Sequence, residues 1–239
     1  GVDRTIYHMS GYFAFASSND AVAVPTPNGE RIRAVGPGSA IVTAALGAVD
    51  AVGQVTLNVS DAPDAPAPVP AEPAGDVISL FSNHYAPGVT VGSWLTPWSS
   101  QASVIDFEID GDDVKVYTYT TMGYAGIDFA NDLVDATSMN YFHIDVWVPE
   151  GSLNFKVKLV DFGADGVSDY PSTTGDDSEC QLAFYDGSDP SLTIGAWSGL
   201  DIPLADFMAG GLEGKAHIAQ IILSGWSSNA FVDNVYFHK

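Results

Sequence analysis

Five tryptophans, at positions 94, 98, 147, 197 and 226, are the side chains here best suited to holding a ligand. A sugar ring presents a patch of C–H groups. A rigid indole face can bury that patch with little loss of rotamer entropy, provided polar groups stand nearby. Trp94 and Trp98 lie in GSWLTPWSS, Gly-, Ser- and Pro-rich sequence with no strand to bury them. Trp226 follows Gly225 and precedes Ser227-Ser228-Asn229, a turn signal ahead of the last apolar run. Tyr124 stands in MGYAG, where flanking glycines let a ligand approach the backbone. These four rings form the expected stacking platform. Trp147, in HIDVWVP, and Trp197, opening WSGLDIPL, read as core rings. Asn83, His84, Gln101 and Asp128 have the right types to bond sugar hydroxyls, and each also fits a turn or strand edge.

The other chemistries find weaker support. The histidines lack metal-ligand spacing, and no Gly-x-Ser-x-Gly, phosphate loop or Cys–His pair occurs. Glycoside cleavage needs two carboxylates roughly 5–10 Å apart, but the six glutamates are scattered. Asp106, Glu108 and Asp110 alternate as on an exposed strand edge. The acidic stretch 161–177 places Asp161, Asp165 and Gly166 at positions 1, 5 and 6 of an EF-hand loop. Gly163 and Ser172 break the pattern, so a solvated loop is expected there. The chain therefore reads as a binding protein, not an enzyme.

A net charge of −22 argues against nucleic acid and anionic polysaccharides. It leaves neutral ligands and calcium, and it also serves solubility in salty water. The single cysteine, Cys180, reads as a buried apolar residue. No apolar run is long enough for a membrane-spanning helix. The sequon Asn58-Val59-Ser60 reads as a chance match. A chain opening at Gly1 without a leader reads as a trimmed piece of a longer secreted protein.

These residues have to be positioned by strands. Residues 61–76, DAPDAPAPVPAEPAGD, hold no apolar residue larger than valine and read as an extended, semi-rigid linker. Before it, residues 1–60 alternate short β-rich runs (13–17, 21–24, 31–35, 40–46 and 54–59) with breaks at Pro27-Asn28-Gly29, Gly36-Pro37-Gly38 and Gly47. After it, residues 77–239 carry strand-like runs at 77–81, 114–120, 142–148, 155–160, 181–184, 197–202, 218–224 and 230–238. Short helices are expected only at 203–207 and 131–137. The expected fold is all-β: a small immunoglobulin-like sandwich followed by a larger antiparallel β-jelly-roll sandwich.

Over residues 12–60, the stretches SSNDAVAV, AVGPGSAIVTA and VTLNV resemble a bacterial immunoglobulin-like domain of group 2, usually a spacer. Over 77–239, VISLFSNHY, MGYAGIDF, MNYFHIDVWVP, KVKLVDFGADG, WSGLDIPLADF and FVDNVYFHK together resemble a carbohydrate-binding module. This is the type appended to bacterial laminarinases and related family sixteen glycoside hydrolases. The Glu-x-Asp-x-x-Glu motif of those hydrolases is itself absent. The resemblance implies a jelly roll that binds a neutral polysaccharide, laminarin-type β-1,3-glucan above others, for a tethered catalytic domain of a secreted or surface protein. Jelly-roll modules often hold one structural calcium, which here would fall to Asp233, with Asn83 and Ser82 as partners. Asp233 also fits a plain strand-edge role. The competing reading is a structural or adhesive surface protein. It gains if Trp94, Trp98 and Trp226 are all buried and loses if two of them line one groove.

Overall fold

The computed structural model describes residues 10–26, 29, 31–59, 61–170, 175–226 and 228–239. Pro27, Asn28, Ser60, Ser172 and Ser227, and with them parts of the expected turns, sequon and acidic loop, lie outside the described residues. The chain divides into two compact units, residues 1–61 and 62–239.

The first unit holds β1 (Ala14–Ser17), β2 (Ala23–Pro25), β3 (Ile32–Ala34), β4 (Gly38–Leu46) and β5 (Val49–Val59). Three of them form a sheet ordered β1-β4-β5, and β2 pairs with β3. Strand alternation turns Ala40 and Val42 inward, where Val22, Ala23 and Ala40 form a small core with Leu57 and Val59 against it. Gly47, at φ 60°, closes the β4–β5 turn, where Leu46 pairs with Val49.

The second unit contains β6 (Val77–Phe81), β7 (Ser100–Ile109), β8 (Asp112–Asp128), β9 (Tyr141–Trp147), β10 (Phe155–Asp161), β11 (Ser178–Phe184), β12 (Ser198–Pro203), α1 (Leu204–Ala209), β13 (Ile218–Ser224) and β14 (Ser228–His238). All the strand pairings are antiparallel. The path runs β11-β10-β13-β8-β14-β9-β12, with β6 added to β14 and β7 to β8. The 17-residue β8 makes the curl possible. Its first half pairs with β7 and β14, and its second half, Ala125 to Asp128, pairs with β13. One long strand thus serves both faces of a sandwich. Between them lies a core that includes Tyr117, Phe129, Phe142, Phe155, Phe207 and Phe237, each essentially solvent-free. At roughly 25 cal/mol per Å² of apolar area, these large rings supply much of what holds the unit folded.

Two expectations change. The helix expected at 131–137 is absent; Val134 instead forms an isolated bridge to Ile218. The alanine–proline stretch holds no strand and ends in a 3-10 turn at Ala74–Asp76, and residues 62–76 belong to the second unit and lie against it. Trp197 Nε1 donates to the Ala65 carbonyl at 2.8 Å, and Tyr85 Oη donates to that of Glu72 at 2.7 Å. Lys239 Nζ pairs with Asp76 at 2.7 Å, and Ala67 is buried. The physical reason lies in proline itself. It removes N–H donors but leaves every carbonyl free to accept from side chains of the sandwich.

Candidate functional site

Sheet β11-β10-β13-β8 presents one face to the core and one outward. Cross-strand pairing aligns Glu179, Val160, Gln220 and Asp128 in one outward row, and Lys158, Ile222 and Gly126 in the next. A groove of about 480 Å³ lies here, within the size range of small-ligand sites. Its lining includes Trp98 and Tyr124 on the β8 side and Tyr170 and Glu179 on the β11 side, with Gln220 and Ile222 between.

Trp98 reaches this face from a turn. Thr96-Pro97-Trp98-Ser99 closes with Ser99 N–H on the Thr96 carbonyl at 3.0 Å, and Pro97 sets the second position. Two bonds fix the turn to β8, Thr96 N–H donating to the Gly126 carbonyl (2.9 Å) and Gly126 N–H to Ser99 Oγ (3.0 Å), while the Thr96 and Ser99 hydroxyls bond each other at 3.0 Å within the turn. The indole then rests where Gly126 has no side chain: a β-carbon there would meet Trp98 Cη2 at 2.0 Å. Trp98 keeps 40% of its surface exposed and Tyr124 37%, with ring centres 6.2 Å apart and planes tilted by 33°. Gln101 at φ 50°, beside the register shift between Ser100 and Ala102, bends β7 next to this pair.

Tyr170, 89% exposed, is carried by the acidic loop. The described part of that loop is mostly exposed, as expected, and it is also tied internally. Asp169 N–H donates to Asp177, Asp176 N–H to Asp169, and Ala164 N–H to Asp176, each at 2.8 Å. Asp161, expected in solvent, is buried and caps the Gly163 and His217 amides at 3.0 and 2.8 Å. Burial raises the Asp177 carboxyl above its ordinary range. Gln220, which lines the groove, donates to Asp128 of the same row at 2.9 Å, and Glu179 pairs with Lys158.

Of the four expected platform rings, two meet in this groove and two do not. Trp226 is 2% exposed and packs against Phe155 and Tyr117, ring centres 5.6 and 6.3 Å away. A ring so covered cannot stack on a ligand, which corrects the expectation. Trp94 packs edge-on to Phe81 at 5.4 Å, with Lys115 Nζ 5.1 Å from its ring, and is absent from the groove lining. Trp147 is buried, and Trp197 packs partly covered against its cluster. Tyr170 was missed because a lone tyrosine in an acid-rich loop carries no periodic signal.

On the other sheet, Asp233 is fully buried beside the β14 bulge, where Asn234 adopts φ 47°. Its Oδ1 accepts from Asn234 N–H at 2.6 Å, while Oδ2 has no hydrogen-bond donor among the described residues. The neighbour within reach is another carboxyl, Asp112, which can donate only when protonated. Burial first, then the Asp112 and Asp145 charges, push Asp233 up to about 7 against one opposing bond from Asn234 N–H. Ser82 does not join this group, because its hydroxyl donates to Asn234 Oδ1 (2.7 Å) and accepts from His84 N–H (3.0 Å). Asn83 Oδ1 accepts from Asp113 N–H at 3.3 Å, and Asn83 lines a second cavity of about 290 Å³ together with Asp112 and Asn234.

No protein-family model and no curated protein matches this chain. Among solved structures, it is similar to a family 30 carbohydrate-binding module of a Clostridium thermocellum cellulosomal cellulase, at 13% identity and TM-score 0.48, covering 68% of this chain and 97% of that one. It is also similar to a family 11 carbohydrate-binding module from Clostridium thermocellum in complex with a β-1,3-1,4-mixed-linked tetrasaccharide. That pair shares 17% identity at TM-score 0.43, over 68% of this chain and 95% of the other. A β-sandwich carbohydrate-binding structure described as promiscuous in specificity matches at 12% identity and TM-score 0.41, covering 87% of this chain and 78% of that one. The functional reading rests on the groove itself.

Proposed function

We propose that the second unit is a non-catalytic module that binds a neutral β-glucan, laminarin-type β-1,3-glucan above others, along the β11-β10-β13-β8 face. One observation carries this reading: Trp98 is held on bare backbone at Gly126 with an exposed ring beside Tyr124, inside a groove with polar side chains on its floor. Flat rings bury the C–H face of a sugar, and Gln220 and Glu179 line the groove where hydroxyls need partners. The groove carboxylate Glu179 already has a cross-strand partner in Lys158, which suits binding better than proton transfer. Of the three indoles weighed at the outset one lines the groove, and Tyr124 and Tyr170 supply its other rings.

In this reading the first unit is an immunoglobulin-like spacer of a secreted or surface bacterial protein, and the module concentrates a tethered polysaccharide-degrading domain on its substrate. A structural calcium fits Asp233 and Asp112, because the orphaned Asp233 oxygen and a second carboxyl are the hard anionic donors calcium takes. When bound, the ion supplies the positive charge this buried pair lacks. Calorimetry against laminarin, mixed-linkage glucan, cellulose and alginate tests the ligand. Heat from a neutral β-glucan and none from alginate is expected; silence with every neutral glucan would refute the reading.

A further inference from the structure

The cavity of about 290 Å³ beside Asp112 is bounded on one side by the proline-rich segment: Pro66, Ala67, Val69 and Pro70 face Asp112 and Asn234 across it. We propose that a divalent cation at Asp112 and Asp233 fastens this segment to the sandwich, so that residues 65–70 act as a cation-locked strap. The inference rests on the cation reading above and goes beyond it.

Three observations converge. First, the strap is rich in acceptors: Pro66, Pro68 and Pro70 have no N–H, so six consecutive residues offer six carbonyls but only three amide donors. Second, two of those carbonyls already meet donors of the sandwich. Ala65 accepts from Trp197 Nε1 at 2.8 Å, and Pro68 receives Asn234 Nδ2 at 3.4 Å. Asn234 also donates to Asp145 at 2.9 Å, so one side chain links the strap, the acidic group and the bulge beside Asp233. Third, the fully buried Asp233 keeps an oxygen without a donor, next to the carboxyl of Asp112. Strap residues and Asp112 thus line one cavity, and Asp233 adjoins Asp112, so oxygen donors of both kinds stand close to one another. Calcium takes six to eight oxygens, and carboxylates with backbone carbonyls are the usual donors.

The hydrogen bond from Trp197 Nε1 to Ala65 reports strap docking directly. In the full chain, the Trp197 indole N–H is identified in a nitrogen–proton spectrum by its loss in Trp197→Phe. Its solvent exchange is then measured with calcium and with chelator. We expect calcium to slow exchange at least tenfold and to raise the melting temperature of the second unit. In Asp112→Asn, whose side chain is partly exposed and tolerant of replacement, both effects should vanish. If calcium raises the melting temperature while Trp197 exchange stays unchanged, the ion binds but the strap is independent, and this proposal fails alone. If calcium alters neither, the cation reading fails with it.

Discussion

The six-membered ring of Trp98 occupies the space that a side chain on Gly126 would need, with 2.0 Å between Cη2 and the position of a β-carbon there. Ring and glycine are therefore one device. The glycine creates the shelf, the Thr96–Ser99 turn delivers the indole to it, and the exposed face is left for a ligand.

Removing the ring should cost binding and leave the fold intact. Trp98→Ala is expected to weaken laminarin binding about tenfold, roughly 1.4 kcal/mol, in line with one stacking contact. Gly126→Ala should do the same from beneath by displacing the indole, and should also cost about 1–3 kcal/mol of stability through overpacking. Calorimetry and urea unfolding of both variants check this. Wild-type affinity in either variant would remove Trp98 from the site.

Trp226 should behave in the opposite way. As a 2%-exposed ring against Phe155 and Tyr117, its replacement by alanine opens a large core cavity. We expect Trp226→Ala to destabilise the second unit by about 3–5 kcal/mol, while folded protein at low temperature retains its glucan affinity.

Tyr170 tests whether the groove extends to the β11 side. Its loop is held by two amide caps, Asp169 N–H on Asp177 and Asp176 N–H on Asp169. Tyr170→Ala should weaken binding of long oligosaccharides several-fold and leave the shortest bound ligands unaffected. The chain-length dependence of Kd in both proteins reads this out.

The His143–Asp201–His238 group predicts a pH profile. Asp201 Oδ1 accepts from His143 Nδ1 at 2.7 Å and from His238 Nε2 at 3.0 Å, Asp145 lies 3.6 Å from His143 Nε2, and Tyr236 stacks on the ring at 4.4 Å. Burial opposes charge on His143, but Asp145 and Asp201 outweigh it and raise its pKa from 6.5 to about 9. A raised histidine contributes stability that is complete below about pH 6.5 and lost as pH rises through about 9. Asp201 is lowered to about 2, chiefly by His143, so its share is present above 3.8 and lost as pH falls through about 2. Melting temperatures should therefore fall on the alkaline side between about 6.5 and 9 in the wild type. The fall should be smaller in Asp201→Asn, where imidazole titration by NMR should also show a lower His143 pKa.

Calcium at one hundred times its Kd should stabilise the second unit by about 2.7 kcal/mol if it binds only the folded state. Asp233→Asn should abolish that increment. Thermal melts in chelator and in calcium decide it.

How much of this was legible in the residues alone differs from element to element. Branched and aromatic residues in short runs marked β6 and β13 to the residue, because such side chains favour a pleated, partly buried surface. β7 was legible only as the exposed edge carrying Asp106 and Glu108, not over its full length, and the second half of β8 escaped, being glycine-rich sequence made into strand by its partner β13. Glycines beside Tyr124 signalled close approach, though not that an indole from a turn near residue 98 would fill the space at Gly126.

Composition and periodicity determined that this chain is all-β, in two units, acidic and supplied with flat rings, because those properties follow from which side chains alternate and how they are charged. Which rings stay exposed was decided only by tertiary structure. Trp226 and Trp98 both follow turn-forming sequence, yet Phe155 and Tyr117 cover one while backbone alone supports the other. The same holds for Asp233 and Asp112, which lie 121 positions apart in sequence and meet only because β8 and β14 pair. Exposure and pairing belong to whatever packs against a residue from elsewhere in the chain, and local sequence does not encode that neighbour.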